Sequence, residues 1–259
     1  RKTMENKPRN EVKENIYQQL GPFTFTSKYA RYKKENKRRE TFEETCKRTI
    51  KMHHDKYTGC DIKEELNFAY QAMINRQVLP SMRSFQFAGK PILKKNTRIY
   101  NCAAAYVDRV EVFQQSMFML LCGVGCGFSI QKHHIAKLPN IKKLSGPNYT
   151  YVADDSIEGW ADCIGVLVSS YFEKDQTFPQ YAGCNITFDL TKIRPKGAPI
   201  SNSNGKAPGP EPLQRALNKI KDIFNKCLSD GLVRLSSICI YDILMLFILT
   251  PCYQVGFDV

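Results

Sequence analysis

Three short stretches follow one another closely: TRIYNCAAAYV at 97–107, VEVFQQSMFMLLC at 110–122 and GVGCGFSI at 123–130. The first is brief and mostly apolar, as a buried strand would be. The second reads as a helix stopped by Gly123. The third is a glycine-rich turn that runs into another strand. Strand-like pieces alternating with helices restrict the chain to few architectures, and the fold class predicted is α/β.

The rest of the chain supplies more helices. TFEETCKRTIKMHHDKY, 41–57, carries acids early and bases late, as the helix dipole favours. Residues 61–79 predict a second helix, with Leu66, Ala69, Met73 and Ile74 as its apolar stripe and Pro80 as its end. The cluster DDS opens a helix over 154–172 that runs through Trp160, Ile164, Leu167 and Tyr171. Residues 173–209 read as loop, because seven prolines and glycines fall between Pro195 and Pro210. Pro212 then starts the clearest helix, with Leu213, Ala216, Leu217, Ile220, Ile223, Phe224, Cys227 and Leu228 on one face and Gly231 at its end.

Charge and cysteine content narrow the function classes. The net charge is +13, and residues 1–60 hold sixteen Lys/Arg against eight Asp/Glu. Anionic partners fit that balance, although a lysine-rich helix face also forms without any partner. The first thirty residues have no apolar segment of signal-peptide type. The most apolar run, ILMLFIL at 243–249, is too short to span a membrane. A cytoplasmic protein with reduced thiols is therefore expected. No CxxC pair occurs among the ten cysteines, and His53-His54 and His133-His134 have no cysteine pairs beside them, so no metal site is predicted. The chain starts with Arg1 and is expected to be a fragment.

Taken singly, the chemical motifs are weak. On spacing alone Cys102 reads as packing, since a lone buried cysteine is usually inert. GVGCGF lacks the register of a dinucleotide fold, but it allows close backbone approach to an anion. IRPKGAPI, 193–200, is a shaped, positively charged loop suited to a nucleotide base or phosphate, or a plain surface loop.

The order of motifs is more specific. PSMRSF, YNCAAAYVD, CGVGCGFS, DDSIEGW, FDLTKIRPKGAPI and APGPEPL occur in that sequence between about residues 20 and 242. This series resembles the large chain of ribonucleotide reductases. Within that family it is most similar to the monomeric, adenosylcobalamin-dependent (class II) ribonucleoside-triphosphate reductases. SNSNGKAPGP departs from the pattern, which usually has a glycine pair and Thr-Ala-Ser before Gly-Pro.

The resemblance implies a helical N-terminal region followed by the first half of a ten-stranded α/β barrel. It divides the chain into a helical region at 1–80 and first barrel strands with an effector-site helix at 81–132. An insertion that replaces a dimer partner's helices follows at 133–180, and the specificity loop and next barrel helix at 181–242. Cys102 matches a thiol that reduces the substrate and ends in a disulfide. Asn101, Ser81 and Ser84 fall where ribose or phosphate would be held. Asp108 resembles the acid that binds an effector's ribose, and Asp155 is a second effector candidate that helix capping explains equally well. Arg194, Lys196 and Gly197 match the loop that links effector to substrate base.

The implied cofactor is adenosylcobalamin. The implied partners are ribonucleoside triphosphates, dNTP or ATP effectors and a thioredoxin-like reductant, acting on a monomer with no stable nucleic-acid complex. The radical cysteine, its glutamate and the second disulfide cysteine would lie further along, so these residues alone are expected to be inactive and poorly soluble. Two other readings stay open: the large chain of a di-iron, diphosphate-reducing enzyme, and a basic nucleotide- or nucleic-acid-binding module.

The C-terminal text LTPCYQVGFDV, 249–259, matches nothing in the family. Codons exist for it that, shifted by two bases, read Asp-Ala-Val-Leu-Ser-Gly-Gly-Val-Arg-Arg, a segment the family does carry there. Residues 243–259 are therefore expected to be an out-of-frame tail, from a frame error or missed intron boundary near 243–248. Sequencing the coding DNA checks this, and codons incompatible with the shifted reading would refute it.

Overall fold

The computed structural model describes residues 9–199 and 206–249, with side chains from 19 and up to 248. The tip of the proline-glycine loop, 200–205, and the segment 250–259 of the expected tail lie outside the described residues. The chain divides into two compact units, Arg1–Ile99 and Tyr100–Val259.

The first unit is mostly helical. It contains α1 (Arg9–Lys28), the two-residue strands β1 (Tyr32–Lys33) and β2 (Arg38–Arg39), α2 (Phe42–Lys56), α3 (Lys63–Ile74), α4 (Met82–Phe87) and α5 (Lys90–Lys94). The helix predicted at 41–57 forms as α2 because TFEE is a complete capping box. The Thr41 hydroxyl accepts from the Glu44 amide, and the Glu44 carboxylate accepts from the Thr41 amide. The second predicted helix stops at Ile74, well short of Pro80, where Asn75 caps it and Arg76 turns the chain at φ 57°. Phe25, Phe42 and Phe85 meet edge to face, with centroids 5.4–6.1 Å apart. The Arg48 guanidinium sits among the carboxylate of Glu40 and the carbonyls of Phe85 and Ala88. That bond set ties α2 to α4.

The second unit holds two strand–helix–strand units. In the first, β3 (Cys102–Tyr106) leads through α6 (Val112–Leu121) to β4 (Gly125–Ser129), and the two strands pair in parallel with Cys102 opposite Gly125. α7 (Lys132–Ile135) follows. In the second, β5 (Asn148–Val152) leads through α8 (Ile157–Tyr171) to β6 (Asn185–Asp189), again in parallel. α9 (Glu211–Ser229) and α10 (Ser237–Leu249) complete the unit. The α/β class is as predicted. Among the described residues the strands make three separate two-stranded sheets, not one continuous barrel wall. β5 and β6 fall in stretches where no strand was expected.

The core is built around α8. Its sequence is apolar apart from the face bearing Glu158 and Asp162, so most of it is buried, and Trp160, Ile164 and Leu167 are inaccessible to solvent. The N-cap is Ser156, whose hydroxyl accepts from Gly159 at 3.0 Å. α9 lays its apolar face on this helix: Phe224 stacks on Tyr171 with centroids 4.5 Å apart and meets Phe172 edge-on at 5.9 Å. Lys221 on α9 donates to the carbonyl of Ile186 on β6. In α10, Ile240, Ile243, Leu244 and Phe247 are buried in the same core.

Candidate functional site

Cys102 is the first residue of β3, and its side chain is exposed. The expectation that 97–107 forms a buried strand is corrected here. Among the described residues β3 has only β4 beside it, and its successive residues face opposite ways. Ala103, Ala105, Cys126 and Phe128 pack on the core, while Cys102, Ala104 and Tyr106 face outward. Gly125 and Gly127 lie opposite Cys102 and Ala104. A Cβ at Gly125 would come within 4.0 Å of the Cys102 sulfur and 3.5 Å of the Asn101 carbonyl. The glycines thus keep the backbone open beside the thiol, and the outer face is a shelf of small side chains. The Asn101 carbonyl accepts from the Gly125 amide at 2.8 Å and fixes the start of the shelf. Behind it, burial pushes the Cys126 thiol up to about 11, helped by Cys102 and Cys122, so Cys126 stays protonated.

The far end of the shelf is aromatic and basic. The Tyr106 ring, 60% exposed, lies 4.4 Å from His134, which also contacts Ser129 Oγ at 3.0 Å. Desolvation, with His133 and Lys137 close by, holds the His134 imidazole below its usual range, against the pull of Asp108. Asp108 follows β3 and precedes α6, as expected. Its carboxylate is held by Arg109 at 3.0 Å and faces Lys137 at 3.8 Å. Sequence reading missed His134 and Lys137, because only the fold brings α7 beside the end of β3.

Asp155 and Arg194 were singled out separately, and the fold joins them. Arg194 Nε donates to Asp155 Oδ2 at 2.6 Å. Asp155 Oδ1 is buried and has no hydrogen-bond partner among the described residues. Capping does not account for Asp155, since Ser156 fills that role. Lys196 and Gly197 lie on the exposed loop that follows, which closes through Gly197 N to Ala207 O and Ala207 N to Ala198 O, both 2.8 Å. Gly209 supports this loop at φ 79°, where an added Cβ would lie 3.0 Å from the Lys196 amide nitrogen. Gly209→Ala should cost about 1–2 kcal/mol in urea unfolding from backbone conformation alone. Gly197→Ala, which meets nothing within 4 Å, lacks the added steric conflict and should cost less.

A cavity of about 410 Å³ lies between α6 and α8, and Ala104 and Ala105 of β3 line one side of it. Gln114 donates to Asp162 at 2.6 Å inside it. Burial lifts the Asp162 carboxyl above its usual range, against the pull of the Gln114 bond. A carboxyl whose pKa is raised by folding stabilises the fold below its unfolded pKa and loses that contribution as pH rises through the folded value. Asp162→Asn, which still accepts from Gln114, should therefore raise Tm at pH 7, with the gain fading by about pH 4. Melting curves at the two pH values check the sign.

Ser81 and Ser84 belong to the first unit. The Ser81 hydroxyl caps α4 by accepting from the Ser84 amide at 3.1 Å and donates to the Ser84 hydroxyl at 3.2 Å. Among the described residues no group of three or more His, Cys, Asp or Glu could hold a metal ion, and no helix is long and apolar enough to cross a membrane. A second cavity, about 380 Å³, lies between α9 and α10.

The sequence model of the B12-dependent ribonucleotide reductase insertion domain matches residues 131–224. The adenosylcobalamin-dependent ribonucleoside-triphosphate reductase of Euglena gracilis is 26% identical over 88% of this chain and 32% of its own length. The protein of that name from Lacticaseibacillus paracasei is 26% identical over 83% of this chain and 37% of its own. A solved B12-dependent (class II) ribonucleotide reductase matches 98% of this chain and 44% of its own with a TM-score of 0.75 at 21% identity, a likeness of fold. The chain thus spans about a third of the length of the curated relatives it matches.

Proposed function

We propose that this chain, which is related to the adenosylcobalamin-dependent (class II) ribonucleotide reductases, is the part of such an enzyme that carries one substrate-reducing thiol, Cys102. The observation that carries this reading is the exposed sulfur at the head of β3, on an open shelf floored by Gly125 and Gly127. A sugar can approach backbone there, where larger side chains would hold it off. The barrel of the relatives' fold would be completed by residues beyond this half.

The overall reaction balances simply. A ribonucleoside triphosphate loses its 2′ hydroxyl as water, and a C–H bond replaces the C–O bond. Two thiols supply two electrons and two protons and become one disulfide. Cys102 is one thiol, and its partner lies outside the described residues. A thioredoxin-like dithiol then reopens the disulfide, which requires a reducing, cytoplasmic setting. Asn101, next to Cys102, is assigned to hold the substrate's ribose or phosphate.

The effector, a dNTP or ATP, is assigned to Asp108 and Asp155 and to the loop with Arg194, Lys196 and Gly197. The bare Asp155 Oδ1 is an acceptor suited to a ribose hydroxyl. Residues 133–180 act as the insertion that lets a monomer work without a partner's helices. Adenosylcobalamin is proposed for the whole protein on the names of its relatives.

The test uses the full-length protein with a ribonucleoside triphosphate, adenosylcobalamin and a small dithiol, without oxygen. The 2′-deoxynucleotide is the expected product. Substrate recovered unchanged would overturn the reading.

A further inference from the structure

Cys227 lies near the end of α9 and Cys239 in the first turn of α10, and their sulfurs are 2.9 Å apart. That is closer than two non-bonded sulfur atoms ordinarily rest. Two further contacts fix the geometry. Ser236 caps α10 by accepting from the Cys239 amide at 3.2 Å, and its hydroxyl lies 3.2 Å from the Cys239 sulfur. On the other side, Cys227 is buried in the core that holds α9 against α8. Neither sulfur can drift far without unwinding a helix end.

We propose that Cys227 and Cys239 form a redox-modification site, a dithiol that peroxide closes into a disulfide pinning α9 to α10. The site is separate from Cys102 and does not depend on the function assigned to that residue. The two thiols differ in access: Cys239 is half-buried, whereas Cys227 is buried. Burial pushes the Cys227 thiol up to about 12, so it is the weaker first nucleophile.

Hydrogen peroxide therefore reacts at Cys239. An S–O bond forms as the O–O bond breaks, giving a sulfenic acid and one water. The Cys227 sulfur then attacks the Cys239 sulfur. The S–S bond forms, the S–O bond breaks, and the departing hydroxide takes the Cys227 proton as a second water. Two thiols have lost two electrons and two protons, and the peroxide has gained them. A thiol reductant reverses the change by exchange. Because only the turn at 230–236 separates the helices, the pin would hold the end of α9 and the start of α10 as one piece.

The full-length protein, reduced and then titrated with hydrogen peroxide, tests this directly. Remaining thiols are alkylated and the digest is mapped without reductant. The proposal expects one cross-linked peptide pair joining Cys227 to Cys239, with loss of both free thiols together and before Cys60, an exposed cysteine that serves as an internal reference. In Cys227→Ser, a trapped sulfenic acid should accumulate at Cys239. Alkylation of both cysteines after Cys60 has been consumed would overturn the proposal. So would cross-links from either one to a different cysteine.

Discussion

Cys102→Ser in the full-length protein should lower reduction of a ribonucleoside triphosphate about a thousandfold or more, equivalent to about 4 kcal/mol in the barrier. Serine has nearly the same shape and keeps a polar hydrogen, but it cannot give up electrons to form a disulfide. The thiol is exposed and packs against nothing in the core, so the fold has little stake in it. Stability should stay within about 0.5 kcal/mol of the parent. A large rate loss with an unchanged melting curve separates a chemical role from a structural one. Comparable rates in the two proteins would mean that the reductant is another residue.

The largest effect on folding should come from Phe224→Ala. The ring is inaccessible to solvent and fills the space between α9 and the end of α8, stacked on Tyr171 and edge-on to Phe172. Removing it leaves a cavity that its two aromatic neighbours cannot collapse into, at a cost of about 3–5 kcal/mol. The Tyr171 hydroxyl, which donates to Asn225 at 3.1 Å, anchors the same helix and loses its packing partner. Urea unfolding measures the difference. A loss below about 1 kcal/mol would show that α9 is not seated on α8 as described.

The helices were legible where their ends are written locally. The capping box at Thr41 and Glu44 and the Ser156 cap belong to single turns of chain, and α9 shows its apolar face at helical spacing. β5 and β6 were not legible, because NYTYV and NITFD are only five residues long and sit among turn-forming residues. Their pairing joins segments that are far apart in the chain. The state of β3 was misjudged for a related reason. An alanine run says that a strand is small, and only its neighbours decide whether both faces are covered.

Within the site, Cys102 and Asp108 fall on and just after β3, at positions the motif order had suggested. The ion pair of Asp155 with Arg194 could not be read, since 38 residues separate the two in the chain. The same holds for His134 against Tyr106, whose contact depends on where α7 turns back.

The central claim concerns the oxidation state of one sulfur after one reaction. Full-length protein is fully reduced, freed of external thiols and given substrate with adenosylcobalamin, then quenched with an alkylating reagent. Cys102 should be recovered in a disulfide, in an amount equal to the deoxynucleotide formed. Deoxynucleotide formed while Cys102 is recovered wholly alkylated would contradict the account.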